Sequence, residues 1–228
     1  MLKVSNVKVY DLVESVIASG NAMRIEPLEG NFVESGEEFK KGINRMIRLN
    51  KASEGTVNCH NHALCGIRVS FDVVYPQYWT PEFQRYNFAD IVTSSSKMHR
   101  LCKMDIRKAC NKYVSQNAVA ELEYHVKRYN KLRDNADAMT FQYYDNERNE
   151  KIDIIGREES LYAAFMCMIS NCPLGLELFM RVSTNYLQLR NIYFQRKDHK
   201  LHEDWGPFCR MIEELPYFNE LILGNTEG

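Results

Sequence analysis

The sequence predicts an α+β fold in a single domain spanning residues 1–228. Period-two alternation of apolar and polar residues marks strands at the N-terminus and again at Gly66–Pro76. Apolar residues recurring every three or four positions mark helices through much of the remainder. No internal repeat, low-complexity tract or linker divides the chain, and its length lies within the range of one domain.

Met1–Tyr10 alternates in this way and reads as a strand reaching about Leu12, not as a signal peptide. Val16, Ile17 and Met23 share a face, which places a helix over Glu14–Met23. Pro27–Glu37 is rich in loop-forming residues. Ser35 and Glu38 then have the spacing of a capping box, opening a helix that Phe39, Ile43, Met46, Ile47 and Leu49 carry to about Asn50. After a turn at Ser53–Gly55, Ile67, Val69, Phe71 and Val73 alternate with Arg68, Ser70 and Asp72, the pattern of a strand with one buried face.

Pro81–Arg85 suits a short helix, and Thr93–Lys97 is a polar stretch. Met104–Arg133 has helical spacing with a break near Gln116-Asn117, and the polar segment Asp134–Gly156 reads as a connector. Glu158–Asn171 is apolar on nearly every side, so it is expected to be the central buried helix, ended by Pro173. Leu174–Ser183 fits a strand or a helix start. Tyr186–Gln195 is helical, and Trp205–Leu223 is a last helix broken at Pro216.

Hydrophobic residues make up 45% and charged residues 26%, which excludes a wholly disordered chain or a fibrous repeat. With 29 basic and 30 acidic residues, no global field favours nucleic acid or a membrane, and neither partner is expected. Any anion must be met by a local cluster. No apolar run approaches the roughly 18 residues of a membrane span. Seven cysteines without a secretion signal are expected to be reduced thiols in a cytoplasm.

Cys59-His60-Asn61-His62-Ala63-Leu64-Cys65 concentrates metal-ligating residue types. With His199 and His202 it offers a Cys/His zinc site for a hydrolase; the alternative is buried thiols and hydrogen-bonded histidines. The spacing matches no standard zinc-finger pattern, and no metal is expected. Ser94-Ser95-Ser96-Lys97 sets hydroxyls, backbone N–H groups and a cation together, which suits either a phosphate or a solvated loop. Tyr186, Leu189, Ile192 and Tyr193 form a stripe expected in the core.

Two collinear blocks carry a resemblance. Val69–Pro76 followed by Arg85-Tyr86-Asn87-Phe88-Ala89-Asp90-Ile91-Val92-Thr93-Ser94-Ser95 is similar to the strand Phe-x-hydrophobic-x-x-Pro and signature Arg-His-Arg-x-x-Ser-x-Asn-x-x-Ser of the flavin-dependent (alternative) thymidylate synthases. Arg85 and Ser95 match; Tyr86, Asn87, Asp90 and Val92 depart. In the second block, Pro173-Leu174 followed by Asn185 resembles Leu-Pro-Leu…Asn, and Asn185–Arg196 resembles Asn-x-Arg-x-Leu-x-Asn-Phe-x-x-x-Arg. There Asn185, Leu189, Asn191 and Arg196 coincide, while Leu187 replaces an Arg. Asp198 and His202-Glu203-Asp204-Trp205 resemble the family's Asp-x-His-Ala-Gln-Trp. The resemblance runs from about Cys59 to Met211.

It implies that family's mixed α+β fold, assembled as a homotetramer. It implies reductive methylation of a pyrimidine deoxynucleotide such as dUMP, with methylenetetrahydrofolate as carbon donor and NADPH-reduced FAD as hydride donor. Arg85, Ser95, Ser96 and Lys97 fall on nucleotide-binding positions, and Arg196 on one that meets the uracil ring and acts in catalysis. His60, Tyr86, Asn87, Asn185 and Asn191 fall on or near flavin positions. Tyr86 and Asn87 stand where the family has a His and an Arg on the flavin, and Ile169 replaces a nucleotide-binding Arg. These losses imply weak binding of FAD and dUMP. The alternative is a catalytically degenerate paralogue that binds nucleotide or regulates.

Overall fold

The N-terminal alternation forms β1 (Lys3–Tyr10), which pairs antiparallel with β2 (Arg68–Pro76), Lys3 opposite Val74 and Tyr10 opposite Arg68. The register shifts between Ser5 and Lys8, and Asn6 takes a φ of 52° there, a left-handed conformation that Asn tolerates better than most residues. The structure is a computed structural model that describes residues 2–53 and 60–225. Its described residues group into two compact units. One comprises residues 75–80 and 94–178; the other comprises 2–53, 60–74, 81–93 and 179–225.

A four-stranded sheet has the order β1-β2-β6-β3, with β6 (Glu177–Asn185) inside and β3 (Asp90–Ser94) at one edge. Val69, Phe71 and Val73 of β2 and Met180, Val182 and Thr184 of β6 are buried, the period-two burial that their spacing demands. Arg68, Asp72 and Arg181 lie at alternate positions, where Arg181 is 3.1 Å from Asp72. β3 is exposed throughout; its apolar residues Ile91 and Val92 gave no periodic signal, and the sequence reading missed it.

In the second unit, α1 (Leu12–Ala18) packs on α2 (Glu37–Ala52). Gly42 permits that approach, since a Cβ there would lie 2.7 Å from Val16. The expected capping box does not form: Gly36 is the N-cap and makes no side-chain cap bond. Glu38 instead meets Lys41 at 3.1 Å and Arg24 at 3.2 Å, stronger partners for a carboxylate than a backbone N–H. α8 (Tyr186–Arg196) and α9 (His202–Glu213) bury Tyr186, Leu189, Ile192, Trp205 and Phe208. Beyond Pro216, a π-helical turn at Phe218–Leu223 is held by Asn50, whose Nδ2 donates to the carbonyls of Glu220 and Leu221. Burial pushes the Cys209 thiol up to about 11.

In the first unit the long helical stretch divides into α5 (Ile106–Ala109) and α6 (Gln116–Asp134), following short helix α4 (Lys97–Arg100). Ser115 caps α6 by accepting from the Ala118 N–H. The expected connector is a β-hairpin, β4 (Thr140–Asp145) with β5 (Glu150–Ile155). Phe141, Tyr143, Ile152 and Ile154 alternate with polar residues, a short period-two signal masked by the low mean hydropathy of the segment.

α7 (Arg157–Ser170) is not centrally buried. Ser160, Ala164 and Met168 face inward, whereas Tyr162 is 66% exposed. The apolar body of this helix exceeds what its neighbours cover. Among the described residues no helix is long and apolar enough to cross a membrane.

Candidate functional site

In the second unit, Arg196 lies at the centre of a polar cluster set in aromatic surroundings. Its Nε donates to the Tyr86 hydroxyl at 2.7 Å and its Nη1 to Glu82 Oε2 at 3.0 Å. The guanidinium stands 4.6 Å from the Trp205 ring centroid and 5.7 Å from that of Tyr86, a cation–π arrangement. Trp205 Nε1 donates to the same Glu82 oxygen at 2.9 Å. One carboxylate oxygen therefore orients both the guanidinium and the indole. Arg196 Nη2 has no hydrogen-bond partner among the described residues.

Local structure fixes each participant. Glu82 belongs to α3 (Thr80–Phe83), after which the Tyr86 and Ala89 N–H groups close successive turns on Phe83 and Tyr86. Thr184 Oγ1 donates to the Phe88 carbonyl at 2.8 Å and pins that turn. Arg196 is the last residue of α8, where a cation complements the helix dipole. Asn185 starts the same helix, its Oδ1 accepting the Gln188 N–H at 2.9 Å. His199 Nδ1 accepts the Leu201 N–H, so in the neutral ring the proton sits on Nε2, 3.7 Å from Glu82.

The arrangement can present a rigid, charged donor edge to a carbonyl or an anion. Its side chain is only 13% exposed and its guanidinium is already oriented, so little side-chain entropy is lost when a ligand arrives. Glu82, His199 and Trp205 were not singled out as a cluster in the sequence. Glu82 sits three residues before Arg85, and nothing in their spacing predicts convergence on Arg196.

The other expected residues fall as follows. Arg85, in the turn after α3, is exposed and has no hydrogen bond or ion pair among the described residues. In the first unit, Ser95, Ser96 and Lys97 are each partly buried. Lys97 Nζ donates to Gln77 Oε1 at 3.0 Å and has no carboxylate partner among the described residues. Asn87, Asn191 and His60 are exposed, and Ile169 packs against the core of the first unit.

Cys59 lies outside the described residues, and among those described no group of three or more His, Cys, Asp or Glu side chains is placed to hold a metal. Cys65 Sγ is 3.8 Å from His62 Nδ1, a local thiol–imidazole contact.

No family model matches the sequence, and no curated protein does. Solved structures do match. A flavin-dependent thymidylate synthase ThyX from Helicobacter pylori, complexed with FAD and dUMP, aligns with TM-score 0.57 and 14% identity, covering 99% of this chain and 100% of that one. A second H. pylori ThyX structure with FAD and dUMP aligns with TM-score 0.56 at 14% identity, covering 97% of each chain. The fold is that of the flavin-dependent thymidylate synthases. At this identity the likeness establishes fold alone.

The residues that the resemblance assigns to the flavin do not fit FAD as a set. Tyr86 is buried, donating to Gln195 Oε1 while accepting from Arg196, and Asn185 is committed to its helix cap. The remaining three are exposed, and none of the five is a Lys or Arg to meet a diphosphate.

Proposed function

We propose that the chain is a flavin-dependent thymidylate-synthase-like enzyme whose substrate is a pyrimidine deoxynucleotide such as dUMP. The observation that carries this reading is Arg196. It occupies the position assigned to the pyrimidine ring by resemblance, and it is held by Glu82, Tyr86 and Trp205 with its Nη2 edge unpartnered among the described residues. In this role Arg196 donates to a ring carbonyl and stabilises negative charge that develops there. Arg85, Ser95, Ser96 and Lys97 are assigned to the nucleotide phosphate, by hydroxyl and backbone donors and by charge neutralisation. Methylenetetrahydrofolate, NADPH and FAD belong to the same reading, as does a cytoplasmic homotetramer. It requires FAD to be held by groups other than the five above.

Lys97→Ala is expected to weaken dUMP binding by about 1.5–3 kcal/mol, the range for a hydrogen bond to a charged group. Unchanged affinity in calorimetry removes Lys97 from the phosphate site.

A second reading, nucleotide binding without synthase chemistry, is favoured by the internal engagement of Tyr86 and Asn185. The discriminating assay is release of tritium from C5-labelled dUMP, with NADPH, methylenetetrahydrofolate and added FAD. The enzyme reading expects slow release that Arg196→Ala abolishes while flavin occupancy is retained. No release from folded protein at saturating cofactor rejects thymidylate synthesis and leaves the nucleotide-binding reading.

A further inference from the structure

We propose that the cavity between α6 and the β4–β5 hairpin is a second ligand site, one that takes a small oxyanion attached to a planar group. The cavity has a volume of about 410 Å³ and lies wholly within the first unit. None of the residues assigned above to nucleotide or flavin lines it.

Its walls follow from the two periodicities of secondary structure. Tyr124, His125 and Arg128 come from one face of α6, at helical spacing. Gln142 and Tyr144 come from one face of β4, and Lys151 pairs directly with Tyr144 across the hairpin. Two cations thus converge from different elements.

Arg128 is positioned in advance. Its guanidinium stands 4.1 Å from the Phe141 centroid and 5.2 Å from that of Tyr124, and its Nη2 donates to the Gln142 carbonyl. Neither Arg128 nor Lys151 has a carboxylate partner among the described residues. Glu121 is the only carboxylate among the described lining residues, and it lies 3.0 Å from His125 Nε2.

His125 is 9% exposed and gives the cavity a fixed wall, its Nε2 lying 3.0 Å from Glu121 Oε1. Arg128 and Lys151 select an oxyanion, with Arg128 offering the bidentate geometry that suits phosphate or carboxylate. Tyr124 and Tyr144 select a flat group beside it. Phosphate monoesters and carboxylates share this chemistry.

Phenyl phosphate and benzoate, titrated calorimetrically into the full chain, test the site, with inorganic phosphate as the reference. At least one aromatic probe is expected to bind more tightly than inorganic phosphate. Arg128→Gln and Lys151→Ala are each expected to weaken that probe by about tenfold or more. Lys151 is exposed on the hairpin, so its variant is expected to fold even where Arg128→Gln does not. Lys97→Ala should leave this binding unchanged, which keeps the test separate from the nucleotide reading. Binding of neither aromatic probe, or wild-type affinity in Lys151→Ala, overturns the proposal.

Discussion

Glu82→Ala is expected to destabilise the folded protein by about 3–5 kcal/mol, the cost of removing one partner from a largely buried ion pair. The side chains of Arg196 and Glu82 are 13% and 27% exposed, so water replaces the lost carboxylate poorly. The same substitution strips the indole N–H of the fully buried Trp205 of its acceptor. Glu82→Gln should cost less, because an amide oxygen still accepts from Trp205 while the charge pairing is lost. Urea denaturation of the three proteins checks this ordering. A Glu82→Ala loss below about 1 kcal/mol, the level of an exposed pair, shows that the cluster is solvated in solution.

Phe208→Ala should cost about 3–5 kcal/mol, as expected for deleting a buried aromatic ring and leaving a cavity. Phe208 is wholly buried, and its ring centroid lies 5.5 Å from Phe71, 5.7 Å from Trp205 and 6.0 Å from Phe83. It therefore joins the sheet face, α9 and the helix that carries Glu82. Loss of the ring should also loosen the aromatic wall against which Arg196 stacks. Denaturation gives the stability change, and a shifted tryptophan emission in the folded variant reports Trp205. A loss under about 1.5 kcal/mol, the level of a volume-conserving swap, shows that the neighbouring rings refill the space.

The contrast between α7 and β2 shows what the sequence alone can carry. In β2, alternation of Val69, Phe71 and Val73 with Arg68, Ser70 and Asp72 determines which face is buried, since successive side chains must point to opposite sides of a strand. α7 is apolar around its whole circumference, so no periodicity identifies its inner face. Its contacts with α6 and the hairpin select Ser160, Ala164 and Met168. The hairpin itself was readable only weakly. Its inward residues are few, and its pairing depends on contacts with α7 that lie beyond any local window.

The same division applies to the candidate site. Sequence by itself determined the α+β class, a helix over Tyr186–Gln195 that the structure extends to Arg196, and the resemblance that singled out Arg196. Tertiary structure decided what surrounds that guanidinium. Glu82, Tyr86 and Trp205 are distant in the chain and meet because the turn after α3 is pinned to β6 through Thr184 while α9 packs its aromatic face below. Tertiary structure likewise assigned Asn185 to a helix cap. A backbone N–H two to three residues into a helix lacks an intrahelical acceptor, and the side chain nearest to it is the one committed. Spacing records which residues a chain offers; which donor meets which acceptor is settled by long-range packing.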